Sequence, residues 1–372
     1  MRSVTASGAR SARAGWRACA AGLCLLAAGT VSAKALDCAA PTGVGDGGEP
    51  NVLAPATRTD PAPPPRGAVT IAMLPDIQYY TKCGLPHLAN QMRWLAEQSV
   101  NRNIRAALFM GDLTEHNAPA EWQFVHDQLD AGEWQVPMLL ATGNHDHGRG
   151  GHANRRGTLL THYFTQPPGI AQAVLAETRS PFDIENAYYR VPLAQVTIGV
   201  LVLEWAPRTS TVSWANQVLS RYAHDRVIVV THAYLYDDST RYDWRTRGKT
   251  QLWSPFSFSM AKNEARRDPE QDGEMLWNSL VRRHPGVFLL LCGHVGGTGT
   301  GYLASRGDDG NVVHQVLANF QLLDEGGLGY LRLFEIQPDG RSLRMKTYSP
   351  SLDRYATADT QNGSFEIEPA LW

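Results

Sequence analysis

Five short apolar runs punctuate the chain, at residues 69–74, 105–110, 137–142, 227–230 and 287–291. Their length and lack of alternation predict strands buried on both faces. Between them, apolar residues recur at helical spacing. Leu88, Met92, Leu95 and Ala96 form one such face, then Trp122, Val125 and Leu129, then Ala215, Val218, Leu219 and Tyr222, then Leu276, Trp277, Leu280 and Val281. Each set predicts a helix with a single buried side. Residues 191–204 are β-rich. Two hairpins are expected near the end, over 301–317 about the turn Gly307-Asp308-Asp309-Gly310-Asn311, and over 330–347 about Pro338-Asp339-Gly340. Strands alternating with helices place the chain in the α/β (α+β) class. Two polar stretches, near 147–185 and 234–273, break the alternation and are expected to be insertions over the active face.

The first 67 residues follow a different pattern. Residues 1–35 combine a basic start (Arg2, Arg10, Arg13, Arg17), a short Ala/Leu-rich stretch and small residues at Val31-Ser32-Ala33, the pattern of a signal peptide. A secreted or periplasmic protein is expected. Residues 36–67 are rich in Ala, Pro, Gly and Asp and close on Pro61-Ala62-Pro63-Pro64-Pro65, which predicts a linker and leaves 68–372 as one large domain. Export would remove Cys19 and Cys24, which makes Cys38 with Cys83 a candidate disulfide and leaves Cys292, in an apolar run, as a buried thiol.

The 372 residues carry a net charge of −2, and because the leader holds five basic residues and no acid, the remainder carries −7. That sign gives no general attraction for anions and no sign of a nucleic-acid-binding module. No apolar run approaches the roughly 20 residues of a membrane span.

The chemistry is concentrated where the apolar runs end. Those ends read Pro75-Asp76-Ile77-Gln78, Gly111-Asp112-Leu113-Thr114, Gly143-Asn144-His145-Asp146, Thr231-His232 and Gly293-His294. In open α/β sheets, ligands bind beyond the carboxyl ends of strands. Asp, Asn and His at five successive ends point to a metal site, and mixed oxygen and imidazole donors suit Mn²⁺, Fe or Zn²⁺. A lone His232 is more often a hydrogen-bonded core histidine; the ordered set of five argues otherwise.

These motifs, in this order, resemble those of the calcineurin-like metallophosphoesterases over residues 68–294. The Asp76 to Tyr80 run is similar to the Asp-x-Gln-Tyr-Tyr start of a bacterial secreted branch. The resemblance implies a four-layer sandwich of two mixed β-sheets flanked by helices, holding two divalent metal ions. Asp112 would bridge both ions and Asp76 would bind the first. Asn144, His232 and His294 would bind the second. It implies hydrolysis of a phosphomonoester or phosphodiester by a metal-bridging hydroxide. His145 would stabilise the transition state or protonate the leaving oxygen, with Asp146 holding its ring. The substrate would be a small or macromolecular phosphate ester.

Two departures matter. Many members have a histidine where this chain has Gln78, and another where it has Gly296. Both belong to the first metal, so a weak first site is expected, with Gln78 offering its amide oxygen. The alternative is a non-catalytic metal- or ligand-binding protein that keeps the fold. Of the residues in the first insertion, His147, His152, His162, Arg149, Arg155 and Arg156 are candidates for a phosphate-binding lid, with a solvated polar loop the simpler reading for most. Aromatics between Tyr234 and Trp253 are expected chiefly to pack that insertion onto the domain.

Overall fold

In chain order the strands are β1 (Val69–Leu74), β2 (Ile104–Phe109), β3 (Met138–Leu140), β4 (Leu175–Thr178), β5 (Ala187–Pro192), β6 (Thr197–Val202), β7 (Arg226–Val230), β8 (Val287–Cys292), β9 (Thr300–Arg306), β10 (Val312–Ala318), β11 (Leu331–Ile336), β12 (Ser342–Ser349), β13 (Arg354–Tyr355) and β14 (Gly363–Glu366). They come from a computed structural model that describes Cys38 and residues 63–371, apart from 131–133, 194–195 and 357–362. The 1–35 leader and most of the 36–67 linker lie outside the described residues.

The strands form two mixed sheets. In the first the order is β13-β12-β11-β1-β2-β3, with β14 also paired to β12. Here β1, β2 and β3 are parallel, while β11 lies antiparallel to β1 with Val69 opposite Ile336. In the second sheet the order is β4-β5-β6-β7-β8-β10-β9, with β6, β7, β8 and β10 parallel. Both expected hairpins form, as β9–β10 and β11–β12, and the β-rich 191–204 stretch lies largely in the β5–β6 hairpin.

Side-chain alternation explains why the runs are continuously apolar. Ile71 and Met73 of β1 join Leu108, Val200, Ile228, Val230, Leu289 and Leu291 in a core drawn from both sheets. Their neighbours Ala72 and Leu74 turn the other way, onto Leu88, Met92, Leu95, Trp122, Val125 and Leu129 of the helices His87–Gln98 and Pro119–Asp130. On the far face of the second sheet, Leu201, Val227, Val229 and Leu290 meet Val212, Ala215, Val218 and Leu219 of helix Thr209–Arg221, and Leu276 of helix Gly273–Ser279. The result is four layers, helix, sheet, sheet, helix. Every central strand is covered on both faces, so alternation between polar and apolar is lost. Burying a Leu, Ile or Val side chain contributes about 1.5–3 kcal/mol, which makes this double burial the main source of stability.

Cys38 is bonded to Cys83 at the end of the short helix Gln78–Cys83, and Cys292 is a buried free thiol that burial pushes up to about 12.

Candidate metal centre

Each of the five motifs follows a parallel strand: Asp76 after β1, Asp112 after β2, Asn144 after β3, His232 after β7 and His294 after β8. The structure brings Asp112, His232 and His294 together, with ligand atoms within 4.8 Å of one another, all three residues being buried. Their hydrogen bonds define what the cluster can hold. His232 Nδ1 lies 2.7 Å from the carbonyl of Met110, which can only accept, so Nδ1 carries a proton and Nε2 presents a lone pair. By the same reasoning His294 Nε2 donates to the carbonyl of Trp253 at 2.7 Å, leaving the lone pair on Nδ1. Those two nitrogens are 3.2 Å apart, and Asp112 Oδ2 lies 3.2 Å from His232 Nε2. Three acceptors converge on one point, and only a proton or a cation between them reconciles the arrangement.

On the residues that border this trio, buried oxygens remain without hydrogen-bond partners: Asp76 Oδ1, Gln78 Oε1 and Asn144 Oδ1. An unsatisfied buried acceptor costs roughly 1–3 kcal/mol, so three at one site, beside two imidazole lone pairs, fit a divalent cation centre. The other oxygen of Asp76 accepts from the His294 backbone N–H at 2.9 Å and from Asn319 Nδ2 at 2.7 Å. Asp112 Oδ1 accepts from the His145 backbone N–H at 2.9 Å, while Gln78 Nε2 donates to Asp112 Oδ2 at 3.2 Å.

The backbone is bent to achieve this. Asp112 and His294 have φ of 48° and 78°, a left-handed conformation that costs non-glycine residues about 1–3 kcal/mol each and persists only where the surroundings impose it. At Gly143 a Cβ would lie 2.2 Å from Asp112 Oδ1 and 2.4 Å from Asp112 N, so only glycine lets the Asn144 loop pass so close.

Electrostatics follow from the crowding. Burial lowers the proton affinity of His232, but the charges of Asp112 and Asp76 outweigh it and raise the group to about 9. His294, buried and facing that cation, falls to about 3. Burial raises Asp76 to about 7 despite the nearby His232 charge. Asp112 moves well below the ordinary carboxylate range, because its histidine neighbours prevail over its burial. Without a cation the cluster therefore holds one proton on His232, shared toward Asp112.

His145 sits at the rim, its side chain 32% exposed. Its Nδ1 donates to the Glu115 carbonyl at 2.9 Å, with the Glu115 carboxylate 3.5 Å away. Burial opposes its proton, yet Asp112 and Glu115 shift it upward from the free imidazole; in the protonated form Nε2–H is free to donate. The expectation that Asp146 holds this ring is corrected. Asp146 accepts instead from the backbone N–H groups of Leu113 (3.1 Å), Thr114 (2.8 Å) and Gly143 (2.9 Å) and from Thr114 Oγ1 (2.8 Å). It pins the Asp112 loop to the Asn144 loop, and a backbone carbonyl orients His145.

The first insertion does not form a lid from its full set of basic residues. His147 is buried and bonded to Thr142 Oγ1 at 3.1 Å. Arg156 turns inward to Glu264 (2.9 Å), Glu270 (3.0 Å) and the carbonyl of Ala206 (2.7 Å). Arg149, His152, Arg155 and His162 are exposed. In the second insertion Tyr234 and Tyr242 pack as expected, whereas Trp253, at φ 56°, is 45% exposed while its carbonyl holds His294.

Sequence reasoning missed Asn319, Gln321 and Glu115. Asn319 stands directly after β10, the sixth parallel strand to end at this site, and the rule that found the other five would have found it.

No family model matches the chain. An uncharacterized protein of Bacillus subtilis, YvnB, is 24% identical over 331 residues, covering 84% of this chain and 23% of that protein, so the chain spans about a quarter of its relative's length. Among solved structures, GAP50, the anchor in the inner membrane complex of Plasmodium, is 11% identical, with 82% of this chain and 90% of that one covered and a TM-score of 0.43. A Streptococcus pneumoniae protein described as a predicted phosphoesterase is 12% identical, with 80% and 98% covered and a TM-score of 0.29. Vacuolar protein sorting 29 from Cryptosporidium parvum is 10% identical, with 82% and 98% covered and a TM-score of 0.29. The architecture stands on this chain's own strand order.

Proposed function

We propose that the chain hydrolyses a phosphomonoester or phosphodiester at a centre for two divalent cations. The observation that carries this is the meeting of Asp112 Oδ2, His232 Nε2 and His294 Nδ1 within 4.8 Å of one another, with both carbonyl-bonded imidazoles turning their other nitrogen inward, beside unsatisfied buried oxygens on Asp76, Gln78 and Asn144. Asn144, His232 and His294 would hold one cation and Asp76 with Gln78 the other, Asp112 lying between them. Bound there, divalent cations neutralise phosphoryl charge and lower the pKa of coordinated water.

The chain's own residues do the rest. The Met110 and Trp253 carbonyls fix each imidazole with its lone pair inward, and Asp146 keeps the Asp112 and Asn144 loops in register. His145, held by the Glu115 carbonyl and biased toward its protonated form, is placed to donate Nε2–H to the departing oxygen of the ester. That exposed proton donor is what separates the hydrolase reading from a protein that only binds metal.

The test is turnover of aryl phosphate monoesters and diesters by protein loaded with Mn²⁺, Fe or Zn²⁺. Asn144→Ala should lose metal and activity together, whereas His145→Ala should keep the metal and lose kcat by about 10²–10⁴-fold. Absence of hydrolysis with every metal, or a His145→Ala variant as active as the parent, refutes the proposal. The basic, apolar leader supports an exported enzyme, which fractionation of cells carrying the full chain would check.

A further inference from the structure

The loop after β10 contributes more than support. Asn319 Nδ2 donates to Asp76 Oδ2 at 2.7 Å, and its own Oδ1 accepts from the Gln321 backbone N–H at 2.9 Å, forming a tight turn beside the site. That turn directs Gln321 Oε1 onto Gln78 Nε2, the same nitrogen that lies 3.2 Å from Asp112 Oδ2. Two amide side chains from segments 243 residues apart thus meet next to the central carboxylate. On the two residues that these bonds join to the loop, Asp76 Oδ1 and Gln78 Oε1 are buried and without hydrogen-bond partners. At Gly296 a Cβ would lie 2.4 Å from Leu322 Cδ1, so a side chain there would have to displace that of the residue following Gln321.

We propose that Gln321 is a cation ligand, completing with Asp76, Gln78 and Asp112 a position built wholly from oxygen donors. This rests on the two-cation reading above and deepens it. An oxygen-only position is better suited to a hard ion such as Mn²⁺ than its neighbour is, where two imidazoles and the Asn144 amide suit Zn²⁺. The centre is therefore chemically asymmetric, and the loop after β10 decides the metal at one half of it. The weak first site expected from the sequence becomes a site of different preference.

The experiment is a Mn²⁺ titration of full-length protein already carrying one Zn²⁺, followed by electron paramagnetic resonance and by metal analysis per chain. Wild type should take up one Mn²⁺ without losing Zn²⁺. Gln321→Leu should weaken Mn²⁺ binding by about tenfold or more while leaving Zn²⁺ bound, and the retained Zn²⁺ is the control for folding. Gln321→Glu, which restores an oxygen and adds charge, should bind Mn²⁺ at least as tightly as wild type. If Gln321→Leu binds Mn²⁺ as well as wild type, or wild type takes two Zn²⁺ with equal affinity and no Mn²⁺, the assignment is overturned while the two-cation reading survives. If wild type binds neither ion, both fall.

Discussion

Cation binding at the Asp112–His232–His294 cluster should expel the proton that His232 holds. In the metal-free chain His232 is raised to about 9 by Asp112 and Asp76, whose charges outweigh the opposing effect of burial, and His294 is lowered to about 3. At pH 7 His232 is therefore mostly protonated and His294 neutral. A cation needs the Nε2 lone pair of His232, so it must displace that proton. The sign follows: affinity rises with pH below about 9 and levels off above it. Each pH unit below that point is worth about 1.4 kcal/mol, so between pH 6 and 8 the affinity for Zn²⁺ should increase by about a hundredfold. Calorimetric titration of metal-free protein at pH 7, in buffers of different ionisation enthalpy, should give about one proton or more released for the first Zn²⁺ bound, one from His232 and the remainder from Asp76. Binding with no proton release, and an affinity unchanged from pH 6 to 8, would show that the three acceptors do not share a cation.

Other predictions concern the framework. Asp146→Ala should destabilise the metal-free fold by roughly 3 kcal/mol or more, since three backbone N–H groups lose their acceptor; a urea midpoint equal to wild type would contradict the bracing role. Arg156→Ala should cost about 1–3 kcal/mol, because Glu270 and the Ala206 carbonyl lose a buried donor while Glu204 keeps Arg208 at 2.8 Å, with metal uptake retained once refolded. Burial raises Glu270 to about 8, opposed by Arg156, so the fold binds a proton that the unfolded chain, at 4.5, releases earlier. Its contribution is present below pH 4.5 and lost as pH rises through 8, and Glu270→Gln should flatten that decline in thermal scans. The Cys38–Cys83 bond closes a separation of 45 residues, for which chain entropy sets a ceiling of about 4 kcal/mol. Reductant should lower the melting temperature of wild type to that of Cys83→Ser, and equal values throughout would show the bond to be energetically idle.

The sequence by itself determined the strands and marked the polar residues at their ends, of which the structure brings Asp112, His232 and His294 together. Double burial erases alternation, so β1, β2, β3, β7 and β8 stand out as continuous apolar runs, and the polar residue after each is visible because it breaks the run. Helices whose buried face repeats every three to four residues were legible for the same local reason. Tertiary structure decided everything that depends on contacts without a period. The Asp76–Asn319 bond spans 243 residues and the bond from the His294 N–H to Asp76 spans 218, and no local pattern encodes either. Asp146 is adjacent to His145 in sequence, which suggested a shared task, yet its carboxylate points to backbone amides of another loop, and the Glu115 carbonyl, 30 residues away, orients the ring. Gln321 lies in the same class: its part in the site exists only because β10 runs parallel to β8 and ends where β1 ends. Short-range hydrophobic order built the frame, and long-range hydrogen bonding chose which oxygens face its centre.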